Sequence, residues 1–127
     1  MSRTNKASSN LAFNSNPISF NHVITTGYND GSDKITFHKD KMNDIEADTP
    51  IVSLSFGATR MFTLGKKEAN KKEIKTVHTI PLAQGDLFCL GPETNKQLYH
   101  AVPPTDEAVA PRISLVFRDI KGTHQAL

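Results

Sequence analysis

From Ile18 onward the chain is a succession of short alternating stretches divided by turn signals, and no segment has the length and apolar period of an amphipathic helix. ISFNHVITTG is rich in β-branched residues. An Asp-Gly turn signal, Asp30–Gly31, separates it from KITFH. The polar loop KDKMNDIEADTP leads to IVSLSF, where Val52, Leu54 and Phe56 alternate with Ser53 and Ser55 at the period of a half-buried strand. Gly57 interrupts the pattern before TRMFTL, and the lysine-rich GKKEANKKE reads as a hairpin tip. EIKTVHTIPL, DLFCL, QLYHAV and RISLVFR follow. About eight short strands with closely spaced turns predict a mainly β chain, either a sandwich or a jelly-roll barrel. A βαβ fold is disfavoured, because no helix-length segments separate the strands.

The 127 residues fit one domain. Residues 1–17 are rich in Ser and Asn and read as a flexible lead-in. Residues 18–121 hold the patterned domain, and 122–127 form a tail. A net charge of +2 neither demands nor opposes a nucleic-acid partner. The single cysteine, Cys89, excludes an intramolecular disulfide. Its place inside DLFCL reads as a buried, inert thiol in a reducing intracellular setting. No apolar run approaches the ~18 residues of a membrane span. The opening MSRTNKASSN lacks the apolar middle of a signal peptide. The expectation is a soluble intracellular protein of cytoplasm or nucleus, without a membrane partner.

Five residues carry the chemistry: His38, Asp40, His100, Arg112 and Arg118. His38 and Asp40 are two apart, so both project the same way from a strand end. Two histidines and one carboxylate occupy one face of an octahedron around Fe(II) and leave the other face open. His100 lies on a distant strand and reaches that ion only through closure of a double sheet. In RISLVFR, Arg112, Ser114, Val116 and Arg118 share one face, and Ile113, Leu115 and Phe117 share the other. The apolar trio is expected to pack, which leaves the arginine face to solvent or to a polar cavity. The planar donor fork of arginine suits a carboxylate co-substrate. His22, His78 and His124 have no partner pattern and read as ordinary surface histidines. Lys66, Lys67, Lys71, Lys72 and Lys75, interrupted by Glu68 and Glu73, read as a solvated loop tip.

Four segments in order give a resemblance to a known family. FNHVITTGYNDGSDKITFHKD, PIVSLSFGATRMF, IPLAQGDLFCLGPETNKQLYHAVP and APRISLVFR resemble the AlkB family of Fe(II)- and 2-oxoglutarate-dependent dioxygenases, from about Phe20 to Ile120. The resemblance implies a double-stranded β-helix, a jelly-roll barrel. It implies that His38, Asp40 and His100 bind iron and form the catalytic centre. Arg112 pairs with the distal carboxylate of 2-oxoglutarate, Tyr28 donates its hydroxyl to it, and Arg118 supports the metal end. The implied reaction uses dioxygen to convert 2-oxoglutarate to succinate and carbon dioxide and to hydroxylate an N-alkyl group on a nucleobase, and the hydroxylated carbon departs as formaldehyde.

The sequence also departs from the family pattern. Thr26 and Ser114 stand where asparagines are common, which leaves shorter hydrogen-bonding groups facing 2-oxoglutarate. Val116 replaces a common threonine. Met42 stands where repair members carry an acidic residue facing the base. Only about 19 residues precede the matched core, and they do not resemble the base-flipping lid. The expected partner is therefore alkylated, single-stranded nucleic acid or a modified nucleotide, with Arg60 and the lysine tip as candidate phosphate contacts and Met42 as a candidate base contact. The alternatives are a hydroxylase of a protein or small molecule, and a metal-binding barrel without turnover.

Overall fold

The alternating stretches form two antiparallel sheets whose inner faces enclose one cavity. Residues 12–13 and 16–122 are described by the computed structural model, with side chains from Ile18 onward. Most of the lead-in and tail, His124 among them, lies outside the described residues. The strands are β1 (Ala12–Phe13), β2 (Asn16–Pro17), β3 (His22–Tyr28), β4 (Ile35–His38), β5 (Ile51–Gly57), β6 (Arg60–Lys67), β7 (Ile74–Leu82), β8 (Leu87–Leu90), β9 (Tyr99–Val102) and β10 (Arg112–Arg118). The pair β1–β2 stands apart from two four-stranded sheets, ordered β3-β10-β5-β8 and β4-β9-β6-β7. Eight strands in two antiparallel sheets make a mainly β jelly roll, as the turn spacing predicts.

Period 2 assigns each face. In the first sheet Arg112 lies opposite Tyr28 and Gly57, Ser114 opposite Thr26 and Ser55, and Val116 opposite Ile24 and Ser53. Cross-strand partners point to the same side, so this set turns inward together. Gly57 has φ +91°, and a Cβ there would meet the Pro111 carbonyl oxygen. Only glycine lets β5 end against the start of β10 in this way.

The apolar core joins both sheets and the β4–β5 loop. Ile45, Ile51, Leu64 and Leu90 are buried together, with Phe62, Ile80, Phe88, Leu98 and Val116 against them. The outer face of the first sheet corrects two expectations. Ile113 does not pack but is 45% exposed, beside Phe56, Leu87 and Val23 on the same open face. Cys89 is exposed as well. In β8 the inward positions go to Phe88 and Leu90, so the residue between them turns out, whatever the local hydrophobicity.

A short helix interrupts the β pattern where none was expected. Helix α1 (Pro92–Gln97) starts after Gly91, with Pro92 in its first turn, and ends where the Leu98 N–H donates to the Thr94 carbonyl. Six residues are fewer than two turns, too few to show a 3.6-residue period. Its buried residue is Asn95, 1% exposed.

Candidate active site

His38 ends β4 and lies directly opposite His100 of β9. The two histidines are thus neighbours in one sheet, which corrects the expectation that His100 arrives only by closure across two sheets. Opposite residues of an antiparallel pair present their side chains on one face, and these rings sit 4.2 Å apart between centroids. Asp40 follows two residues beyond β4. Its Oδ1 lies 3.3 Å from His38 Nε2 and 3.5 Å from His100 Nε2. One ligand atom from each of the three lies within 4.8 Å of the others. His38 Nδ1 is 2.9 Å from the Thr36 carbonyl. With a proton on Nδ1 the ring donates to that oxygen, which leaves the Nε2 lone pair free to bind metal. His100 packs on Phe62, with rings 5.5 Å apart and nearly parallel.

What crosses between the sheets is arginine. Arg118 Nη2 donates to Asp40 Oδ2 at 2.9 Å, so it occupies one carboxylate oxygen while the other faces the histidines. Burial alone raises the Asp40 pKa, but hydrogen bonds from His100 and His38 and the charge of Arg118 outweigh it and hold the carboxyl well below its usual range. The Asp40 hydrogen bond is the main reason that the His38 pKa is raised.

Arg112 lies at the other end of the same β10 face. It is 2% exposed, and its Nη2 donates to Ser55 Oγ at 3.0 Å. Its Nε and Nη1 are buried without a hydrogen-bond partner. Buried cationic donors of this kind are costly unless an anion meets them. Tyr28 lies between two guanidinium groups, with Arg112 Cζ 5.1 Å and Arg60 Cζ 5.4 Å from its ring centre. Burial raises the Tyr28 pKa and the flanking arginines partly oppose this, so the phenol keeps its proton and can donate.

These groups line one cavity of about 230 Å³. His38, Asp40, His100, Thr26, Tyr28, Arg112, Ser114 and Arg118 all border it, with Phe62, Phe88, Leu90 and Val116 as its apolar wall. Two other candidates do not. Met42 borders a separate depression near Glu46 and Pro92. Arg60 is 3% exposed and donates to the carbonyls of Asp30, Asp33 and Pro103, so its fork is engaged with loop backbone. It fastens the β3–β4 turn to the segment after β9. Arg60→Met is expected to cost about 2–4 kcal/mol, because one change leaves three carbonyls without their charged donor. Urea unfolding checks this; an unchanged midpoint would refute the fastening role.

Sequence reasoning missed Ser55, Phe62 and Asn95. The alternation in IVSLSF marked two faces without saying which turns inward. The serine face does: Ser55 is 1% exposed, whereas Phe56 is 38% exposed. The signal available was the arginine face of β10, since a neighbouring strand must offer acceptors to buried guanidinium donors.

A family model for the 2OG-Fe(II) oxygenase superfamily matches residues 2–118. DNA oxidative demethylase ALKBH2 of Mus musculus is 38% identical over 107 residues, covering 82% of this chain and 45% of that protein. Alpha-ketoglutarate-dependent dioxygenase alkB homolog 3 of Bos taurus is 33% identical over 114 residues, covering 84% of this chain and 40% of that protein. The chain thus spans less than half the length of these relatives. The solved structure of OsALKBH1 superposes with a TM-score of 0.61 at 21% identity, over 81% of this chain and 49% of that one, which establishes likeness of fold.

Proposed function

The chain belongs to the 2OG-Fe(II) oxygenase superfamily, on its AlkB branch, and from that premise we propose that it is an Fe(II)- and 2-oxoglutarate-dependent dioxygenase that demethylates N-alkylated nucleobases in single-stranded DNA or RNA. The observation that carries this reading is the pairing, in one cavity, of a His-Asp-His ligand set with a buried arginine whose donors lack an anion. The donor set suits Fe(II), and the unpartnered Arg112 suits a carboxylate.

His38 Nε2, Asp40 Oδ1 and His100 Nε2 would hold the iron from one side. Arg118 holds Asp40 Oδ2, which leaves Oδ1 toward the histidines. Arg112, with the Tyr28 hydroxyl beside it, would take the distal carboxylate of 2-oxoglutarate, while Thr26 and Ser114 offer hydroxyls along the cavity wall. Iron held there, with 2-oxoglutarate and dioxygen as co-substrates, would supply the oxidant for a C–H bond, one oxygen atom going into succinate as carbon dioxide leaves and the other into the hydroxylated product. Phe62, Phe88, Leu90 and Val116 give that cavity an apolar wall.

Two observations support a nucleic-acid substrate. Relatives at 38% identity are named as DNA oxidative demethylases. A polar groove separate from that cavity, beside Tyr99, is bordered by Lys39, Lys67, Lys71 and Lys72 together with Glu68. Cations there suit phosphates, although Lys71 also pairs with Glu68 and Lys39 donates to the Lys96 carbonyl. The test measures succinate from 2-oxoglutarate with Fe(II) and ascorbate, with and without an N-methylated single-stranded oligonucleotide. The oligonucleotide is expected to stimulate succinate and release formaldehyde, with binding that weakens as salt rises. No succinate under any condition would sink the enzyme reading. Succinate without stimulation, and a flat salt response, would redirect the substrate to a protein or small molecule.

A further inference from the structure

Asp40 is the least supported of the three proposed ligands by ordinary β-structure. The β4–β9 ladder ends at the His38–His100 pair, and Asp40 lies two residues past it. Beyond a ladder, a peptide N–H and C=O need other partners, or the segment moves. Here both partners come from one side chain. The Asp40 N–H donates to Asn95 Oδ1 at 3.1 Å, and Asn95 Nδ2 donates to the Asp40 carbonyl at 3.0 Å. The amide thereby takes the part of a neighbouring strand for one residue. Asn95 is 1% exposed, so water does not compete for these bonds. A second bond runs the same way: Lys39 Nζ donates to the Lys96 carbonyl at 2.7 Å, and its ammonium lies 4.6 Å from the Tyr99 ring centre.

We infer that Asn95 is a positioning residue for Asp40, fixing the backbone of the ligand that β4 itself no longer holds. Its location matters as much as its bonds. Helix α1 leads through Leu98 directly into β9, which carries His100. The clamp therefore ties the Asp40 segment to the chain that delivers the third ligand, in addition to the His38–His100 pairing. Asparagine fits because it offers a donor and an acceptor side by side. Aspartate offers acceptors only, and leucine offers neither.

The inference rests on the iron-binding reading of Asp40, and the test separates the two. Mn(II) serves as a redox-silent probe, and free Mn(II) is read by electron paramagnetic resonance on the full chain. The variants are Asn95→Leu and Asn95→Asp. Loss of an outer hydrogen-bonding partner typically weakens metal binding about 10–100-fold, and a loss of roughly 10-fold or more is expected for Asn95→Leu. Asn95→Asp keeps the bond to the Asp40 N–H and loses the donor, so an intermediate loss is expected. Amide hydrogen exchange supplies a readout apart from metal: the Asp40 N–H is expected to lose protection in Asn95→Leu and to keep it in Asn95→Asp.

A role confined to stability would lower the melting temperature while leaving the Mn(II) affinity of the folded variants unchanged, and that result would overturn the inference. If Asn95→Leu does not fold, Asn95→Asp decides: wild-type affinity overturns the inference, and weakened affinity with a protected Asp40 amide upholds it. A wild-type chain that binds no Mn(II) would overturn the iron reading and this inference with it.

Discussion

Replacing His38 with alanine is expected to abolish tight Fe(II) binding while leaving the fold in place. The His38 side chain is 39% exposed at the end of β4, so truncation removes little packing. It does remove one of the three proposed ligands, and the loss should exceed the roughly 10–100-fold that an outer partner costs. Anaerobic titration of Fe(II), or of Mn(II) as its stand-in, measures the change. Circular dichroism establishes that the sheets persist. Unchanged affinity in a folded variant would refute the ligand set. The wild-type protein carries a companion expectation. The pKa of His38 is raised above its ordinary value, chiefly by Asp40. A metal needs the neutral ring, so protons compete more effectively here than at an unperturbed histidine. Affinity should therefore rise with pH through the neutral range and fall on acidification. Asp40 adds no competing proton there, because its carboxyl stays ionised well into acid.

Arg112→Met is expected to separate co-substrate binding from stability, in opposite directions. Truncating one partner of a buried, hydrogen-bonded charge pair costs about 2–5 kcal/mol, roughly a 30- to 4,000-fold loss of 2-oxoglutarate affinity. Metal binding should persist, since Arg112 does not touch His38, Asp40 or His100 in this structure. The ligand-free protein should meanwhile hold or gain stability. Arg112 is 2% exposed, two of its nitrogens lack partners, and burial pushes its pKa down. An apolar side chain of similar volume relieves that penalty, as with other buried charges exchanged for hydrophobic residues. Isothermal titration with 2-oxoglutarate in the presence of Mn(II), beside a thermal melt of the metal-free chain, reads both signs. A large drop in melting temperature with intact 2-oxoglutarate binding would reverse the assignment, making Arg112 a structural anchor.

The strand content was legible because period 2 and turn residues are local properties. KITFH, IVSLSF and RISLVFR became β4, β5 and β10 almost as written. The proximity of His38 and Asp40 was legible for the same reason, since two residues span one pleat. Features that depend on which strands become neighbours were not. Nothing in QLYHAV says that His100 will face His38 directly; that follows from the order β4-β9-β6-β7. The inward turn of Ser53 and Ser55 is likewise set by the arginines of β10, not by serine itself. Cys89 and Ile113 misled because hydrophobicity reports a preference for burial, whereas the pleat assigns a side. Met42 and Arg60 were selected by position and charge, and the fold sends one away from the cavity and uses the other as a fastener. Helix α1 escaped because six residues are too few to declare a period.

The place of β10 in its sheet has a consequence for how the protein is made. This strand pairs with β3 on one side and β5 on the other, and it brings both Arg112 and Arg118. Until it emerges from the ribosome, β3 has no partner within its sheet and Tyr28 has no guanidinium from Arg112 beside it. Without β10, the proposed iron ligands His38, Asp40 and His100 would lack the carboxylate clamp proposed at Arg112. Pairings between segments so distant in sequence close slowly, and domains of this size complete their packing as units. Among the described strands, β10 is thus the one that brings both arginines to the cavity, and the proposed carboxylate clamp is complete only once it has paired.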